Sequence, residues 1–111
     1  MGQGMQNVAN LTVDEVKEGL DQGSILLVDV REENEWVAGH IPGSILLPLS
    51  ALDPTALPPL NGRRLVLSCR SGKRSLTAAA QLQDAGLPAH AHLAGGFLDW
   101  SGQGCPVETG L

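Results

Sequence analysis

The stretch LVLSCRSGKRS, Leu65–Ser75, holds the residues of this chain best suited to covalent chemistry. Cys69 ends an apolar run, and Arg70, Lys73 and Arg74 follow it closely. Ser71 and Gly72 permit a tight turn that puts several backbone N–H groups on one concave side. A helix opening at Ser75 adds its own unpaired amides and its positive dipole end. Sulfur above such a cup favours the thiolate, and cysteine pKa values of about 3.5–7.5 accompany helix N-termini and basic neighbours. The same donors would hold an anion beside the sulfur, or an anionic adduct formed on it. The pattern therefore predicts a nucleophilic cysteine with electrostatic assistance in place of an adjacent general base. An inert thiol buried at a strand end is the plainer reading, since free cysteine is among the most buried residue types. It leaves the cationic, glycine-containing turn unexplained.

Charge distribution sharpens this expectation. The chain has 111 residues and a formal net charge of −5, which argues against a general nucleic-acid binder. No acid occurs between Asp53 and Asp84, whereas Arg63, Arg64, Arg70, Lys73 and Arg74 all fall there. A cationic locus in an acidic body suits a small anionic ligand better than a long polyanion.

The elements that must position Cys69 can be read from pattern. A chain of this length carries one core and buries roughly 65% of its unfolded surface without needing disulfides or metals. Aromatics are only Trp36, Phe97 and Trp100, so the core must be aliphatic. Thr12-Val13-Asp14-Glu15 reads as a capping box, followed by a helical stripe of Val13, Val16 and Leu20 and a terminating Gly23. Ile25–Val30 is a strand buried on both faces, and REENEWVAG is a short helix ending at Gly39. Ser44–Leu49 reads as a second strand, edged by Pro48, and Ala51–Gly62 as an irregular, proline-rich connection. Arg64–Ser68 is a third strand, Ser75–Ala85 a helix stopped by Gly86 and Pro88, and Ala89–Leu93 a fourth strand. GGFLDW opens a last helix, and GCPVETGL is a loop. Residues 1–10 read as a flexible lead-in and 11–111 as one domain. The alternation predicts an α/β fold with a mainly parallel sheet, whose ligands sit at the carboxyl ends of strands. No signal peptide or span-length apolar run is visible, so a cytoplasmic protein with reduced thiols and no membrane partner is expected.

Three separated motifs resemble the rhodanese-like sulfurtransferases, in their single-domain form. Cys69-Arg70-Ser71-Gly72-Lys73-Arg74-Ser75 resembles their active-site loop, C-x-x-G-x-R-[ST]. LLVDVREENEWVAGHIPGSILLPL resembles their first signature, and LAGGFLDWSGQGCPVETG their end. The resemblance covers about Leu11 to Gly110 and implies a sheet of about five parallel strands flanked by helices. It implies that Cys69 takes the outer sulfur of thiosulfate, or of another small anionic donor, as a persulfide. Cyanide or a thiol acceptor, such as glutathione or a thioredoxin-like protein, would then remove that sulfur. Arg70, Lys73 and Arg74 would attract the donor dianion, and the amides of Arg70, Ser71, Gly72, Lys73, Arg74 and Ser75 would hold the persulfide. No metal or organic cofactor is implied. Related phosphatases carry one more residue between Cys and Arg, so the four residues between Cys69 and Arg74 go with sulfur transfer over a phosphatase or arsenate reductase. A persulfide carrier or sensor serving one protein partner is the other reading.

Remaining candidates divide between support and site. Asp29 and Arg31 end a strand where site residues gather, and either orient the active loop or form a structural ion pair. His40, in the GHIPG turn, is expected to hold backbone, or alternatively to support the active loop and its chemistry. Trp36 and Trp100 are expected in the core or at the site wall. His90 and His92 alternate along a strand and should face one side, but two imidazoles without a third ligand make a poor metal site. Cys105 reads as a small hydrophobe, or alternatively as a resolving thiol for Cys69.

Overall fold

Side chains alternate across a β-strand, so each apolar run in this chain feeds two layers. The computed structural model describes residues 7–111. Five strands form one all-parallel sheet in the order β1-β5-β4-β2-β3. They are β1 (Ala9–Leu11), β2 (Ile25–Asp29), β3 (Ile45–Leu46), β4 (Arg64–Ser68) and β5 (Ala91–Leu93). Four helices connect or follow them: α1 (Val13–Gln22), α2 (Glu33–Ala38), α3 (Arg74–Asp84) and α4 (Gly96–Gly102).

Leu26 and Val28 of β2 and Leu65 and Leu67 of β4 join Ala78, Ala79 and Leu82 of α3 in one buried cluster. Leu27 and Val66 point the other way and join Val13 and Val16 of α1 and Trp100 of α4. Both faces are thus covered, which is why the central strands are unbroken apolar runs. Full burial of each such Leu or Val side chain contributes roughly 1.5–3 kcal/mol. The expected capping box is present: Glu15 N–H donates to Thr12 Oγ1 at 3.1 Å, and Thr12 N–H donates to Glu15 Oε1 at 2.9 Å. Gly23 closes α1 in the left-handed conformation, with φ 68°.

Several boundaries differ from the sequence expectation, each for a local reason. The lead-in does not extend to residue 10: Ala9–Leu11 form β1, paired with Ala91–Leu93. Three residues of mixed polarity carry no alternation signal. The expectation for residues 1–6 lies outside the described residues. β3 shrinks to Ile45–Leu46: Leu47 and Leu49 still donate to Asp29 O and Val30 O at 2.9 and 3.0 Å, but the chain turns into a short 3-10 segment at Leu49–Ala51. β5 begins at Ala91, since the Ala89 and His90 amides bond locally to Leu87 and Pro88 carbonyls. The proline-rich connection contains a second 3-10 turn, Pro54–Ala56, and its Leu52, Leu57 and Leu60 cover the α3-side cluster. The C-terminal loop is strapped down. His40 and Glu108 exchange backbone hydrogen bonds of 2.8 and 2.9 Å, and Trp100 Nε1 donates to Pro106 O at 2.7 Å. No helix among the described residues is long and apolar enough to cross a membrane.

Candidate active site

Cys69 sits immediately beyond the carboxyl end of β4, and its chain turns over itself before α3 begins at Arg74. Gly72 makes the turn possible. Its φ of 100° is strained for any side chain, and a Cβ there would collide with the Ala94 carbonyl oxygen. Its freed N–H donates to Cys69 Sγ at 3.1 Å. The thiol donates to Ser75 Oγ at 3.5 Å. Burial pushes the Cys69 pKa up. The Ser75 hydroxyl and the amides of Ser75, Gly72 and Ser71 pull it down and win, leaving it below the ordinary thiol value. These donors gather around the sulfur, and Cys69 as a whole is only 1% exposed.

The start of α4 clamps the same turn from outside. Phe97 N–H donates to Cys69 O at 2.8 Å, and Leu98 N–H donates to Arg70 O at 3.0 Å. Gly96 (φ 64°) is what lets α4 come this close, since a Cβ there would lie 2.6 Å from Cys69 O.

The cations divide into two kinds. Arg70 and Lys73 are exposed. Arg74 instead forms a two-pronged pair with Glu35 of α2, at 2.7 and 2.8 Å. The pair holds the Glu35 carboxyl down at about 2 and raises Arg74, so the charge of Arg74 is matched within the protein. Arg31 is buried with Asp29, its Nη2 donating to Asp29 Oδ2 at 2.8 Å and to Gly39 O at 2.7 Å. Its guanidinium also lies 4.4 Å from the centre of the Phe97 ring. Asp29 and Arg31 thus join the end of β2 to the turn after α2 and to α4, the helix that clamps the cysteine turn. His40 stacks on Trp36 with ring centres 3.7 Å apart, and its Nδ1 bonds Trp36 O at 2.9 Å. Its partners are α2 and the C-terminal strap, not the cysteine turn.

A groove of about 390 Å³ borders the turn, lined by Arg70, Phe97, Leu98, Val107 and Ala38 among others. Arg31 and Glu35 also reach it, each already paired, so Arg70 is its unmatched charge. No cluster of three or more potential metal ligands occurs among the described residues.

Residues 12–103 match the family model described as Rhodanese-like domain. This chain belongs to that family. An uncharacterized protein of Synechocystis is 45% identical over 86 residues, covering 78% of this chain and 48% of its own length. The human thiosulfate:glutathione sulfurtransferase is 30% identical, covering 86% of this chain and 96% of its own. The crystal structure of a rhodanese-related protein from Thermoplasma volcanium superposes with a TM-score of 0.76 at 27% identity, covering 90% of this chain and 97% of that one. The chain thus spans about half of the Synechocystis relative and nearly all of the other two.

In this rhodanese-like domain, sequence reasoning singled out the turn and offered Asp29 and Arg31 as its supports, but missed Glu35. Glu35 was invisible as a partner because Arg74 lies 39 residues away. Its only local signal, the spacing from Glu32, is used as well: Glu32 N–H donates to Glu35 Oε1 at 3.0 Å. His90 and His92 do face the same helix, α3, but part company there. His90 is exposed beside Gln83, and His92 is buried on Ser75. Trp36 and Trp100 are both buried. Cys105 is half-buried against the α1-side cluster, whereas Cys69 belongs to the α3-side cluster.

Proposed function

We propose that this domain transfers a sulfane sulfur from thiosulfate, or a donor of the same anionic kind, through a persulfide on Cys69 to a thiol acceptor. Membership of the rhodanese-like family supports this reading, as does the name of a relative of similar length, the human thiosulfate:glutathione sulfurtransferase. What supports the finer reading is the Cys69 sulfur itself, held at 3.1 Å by the Gly72 amide with its pKa pulled below the ordinary value.

In the first step the Cys69 thiolate attacks the outer sulfur of thiosulfate. A new bond to Sγ forms, the sulfur–sulfur bond of the donor breaks, and sulfite leaves with that bond's electron pair. In the second step an acceptor thiolate attacks the outer persulfide sulfur, and the Cys69 thiolate departs unchanged. The persulfide carries one negative charge, and the amides of Ser71, Gly72 and Ser75 are placed to receive it. Arg70 and Lys73 draw the dianion in, while Arg74 and Glu35 fix the shape of the turn. The acceptor approaches along the groove beside Arg70, whose apolar wall of Phe97, Leu98 and Val107 suits a thiol carried on a larger molecule. A reducing, cytoplasmic setting would keep both cysteines as thiols. The four-residue spacing from Cys69 to Arg74, one residue shorter than in the related phosphatases, supports sulfur transfer over phosphoryl chemistry.

Incubation with excess thiosulfate alone, followed by intact mass measurement, tests this. One added sulfur atom on wild type and none on Cys69→Ser is the expected result. An unchanged wild-type mass would overturn the reading.

A further inference from the structure

Asn10 lies on the edge strand, His92 on its neighbour and Ser75 in the first turn of α3, yet the three line up on Cys69. Cys69 Sγ is 3.5 Å from Ser75 Oγ, Ser75 Oγ is 2.7 Å from His92 Nδ1, and His92 Nε2 is 2.8 Å from Asn10 Oδ1. Ser75 is fully buried and His92 nearly so. The imidazole also borders the turn, its Cε1 lying 3.8 Å from the place a Gly72 Cβ would take.

The hydrogen bonds of this chain run in one direction. An amide oxygen only accepts, so Asn10 Oδ1 keeps the ring proton on Nε2. Nδ1 then offers a lone pair to the Ser75 hydroxyl, and Oγ offers its own lone pairs to the thiol. We propose that His92, held by Asn10, draws the Cys69 proton through Ser75 and is thereby a positioning residue for the nucleophile. It acts through the serine and does not touch the sulfur. The Sγ–H bond breaks with its electron pair left on sulfur, and the proton passes to Oγ. The original Ser75 proton passes to Nδ1. The product is a thiolate accepting from Oγ–H, with an imidazolium whose Nδ1–H meets Oγ and whose Nε2–H still meets Asn10. Every donor has an acceptor in both states, and no oxidant or reductant is involved.

Of the charged groups around this pair, Arg74 is the one that feels Cys69. Arg70 and Lys73 of the turn are exposed, Arg74 of α3 is paired with Glu35 of α2, and Asp29 and Arg31 at β2 are paired with each other. Arg74 lies close enough for the Cys69 charge to raise it. His90 is exposed and bonded to Asn7 O, and β1 presents only the neutral Asn10 to the ring. Burial alone holds His92 below the usual imidazole value, so an imidazolium there depends on the thiolate beside it. The two therefore titrate as a coupled pair.

The inference rests on Cys69 being the nucleophile, but its readout needs no sulfur donor. Thiolate absorbance and iodoacetamide labelling rate are followed against pH in wild type, His92→Gln and Asn10→Leu. In His92→Gln the Cys69 midpoint should rise by about one unit, with labelling near neutrality slowed roughly tenfold and the high-pH plateau unchanged. Asn10→Leu should move the same way by less. Folded variants that titrate like wild type would overturn the proposal, since a merely structural histidine would change unfolding and not the midpoint. Imidazole NMR decides the matter even if His92→Gln does not fold. His92 should stay protonated to higher pH in wild type than in Cys69→Ser, and identical His92 titrations would overturn the coupling. Failure of thiosulfate loading with this coupling intact would count against the sulfur donor, not against the relay.

Discussion

At the residue scale, the fate of Cys69 is a contest between burial and hydrogen bonding, and hydrogen bonding wins. Alkylation of Cys69 should therefore show a pH midpoint below that of an ordinary thiol, measurable by labelling and mass analysis. Gly72 is the residue on which the outcome turns. Gly72→Ala forces a side chain into a left-handed backbone against the Ala94 carbonyl. It should cost about 1–3 kcal/mol in denaturant unfolding and raise the Cys69 midpoint as the amide is displaced. Glu35 gives a second titration. Its folded pKa of about 2 lies below the ordinary 4.5, so its contribution is complete above about 4.5 and is lost as pH falls towards 2. Melting temperatures of wild type and Glu35→Gln should differ near neutrality and converge across that window. The turn that brings Gly72 and Ser75 to Cys69 was legible in the sequence because it is local. Glu35 was not, because its role depends on a partner from another element.

At the scale of elements, the cysteine turn is held between α3, which continues it, and the start of α4, which caps it. The Asp29–Arg31 pair ties this arrangement to β2 and to the turn at Gly39. Arg31→Met would leave the Asp29 carboxylate buried without its partner. Breaking a buried pair in this way costs about 3–5 kcal/mol, and here it should also loosen α4. Chemical denaturation and amide hydrogen exchange at Phe97 and Leu98 would show both effects. The long apolar runs and the capping box predicted β2, β4, α1 and α3 closely, since periodicity and caps are local signals. β1 escaped notice because its three residues acquire strand form only by pairing with β5. β3 was overestimated for the converse reason: its apolar run continues past the point where the chain turns into the 3-10 segment at Leu49–Ala51.

At the scale of the whole molecule, an acidic body of net charge −5 presents exposed Arg70 and Lys73 beside the Cys69 turn. Attraction of a dianion to that turn is screened by salt, with a Debye length of about 8 Å at physiological ionic strength. Steady-state kinetics should show kcat/KM for thiosulfate falling as ionic strength rises, and the slope should flatten in Arg70→Ala and in Lys73→Ala. Parallel topology could be anticipated from strand–helix alternation, but not the contact between residues 10 and 92, which only the finished sheet brings together. That sheet also separates the two cysteines, since Cys69 packs in the cluster on one of its faces and Cys105 against the cluster on the other. An internal disulfide would require the layers to come apart, so mild oxidation should yield cross-linked pairs of molecules on a non-reducing gel. With its two thiols in separate layers, a sulfur taken up on Cys69, as proposed above, would have to be handed outward, to whatever molecule arrives beside Arg70.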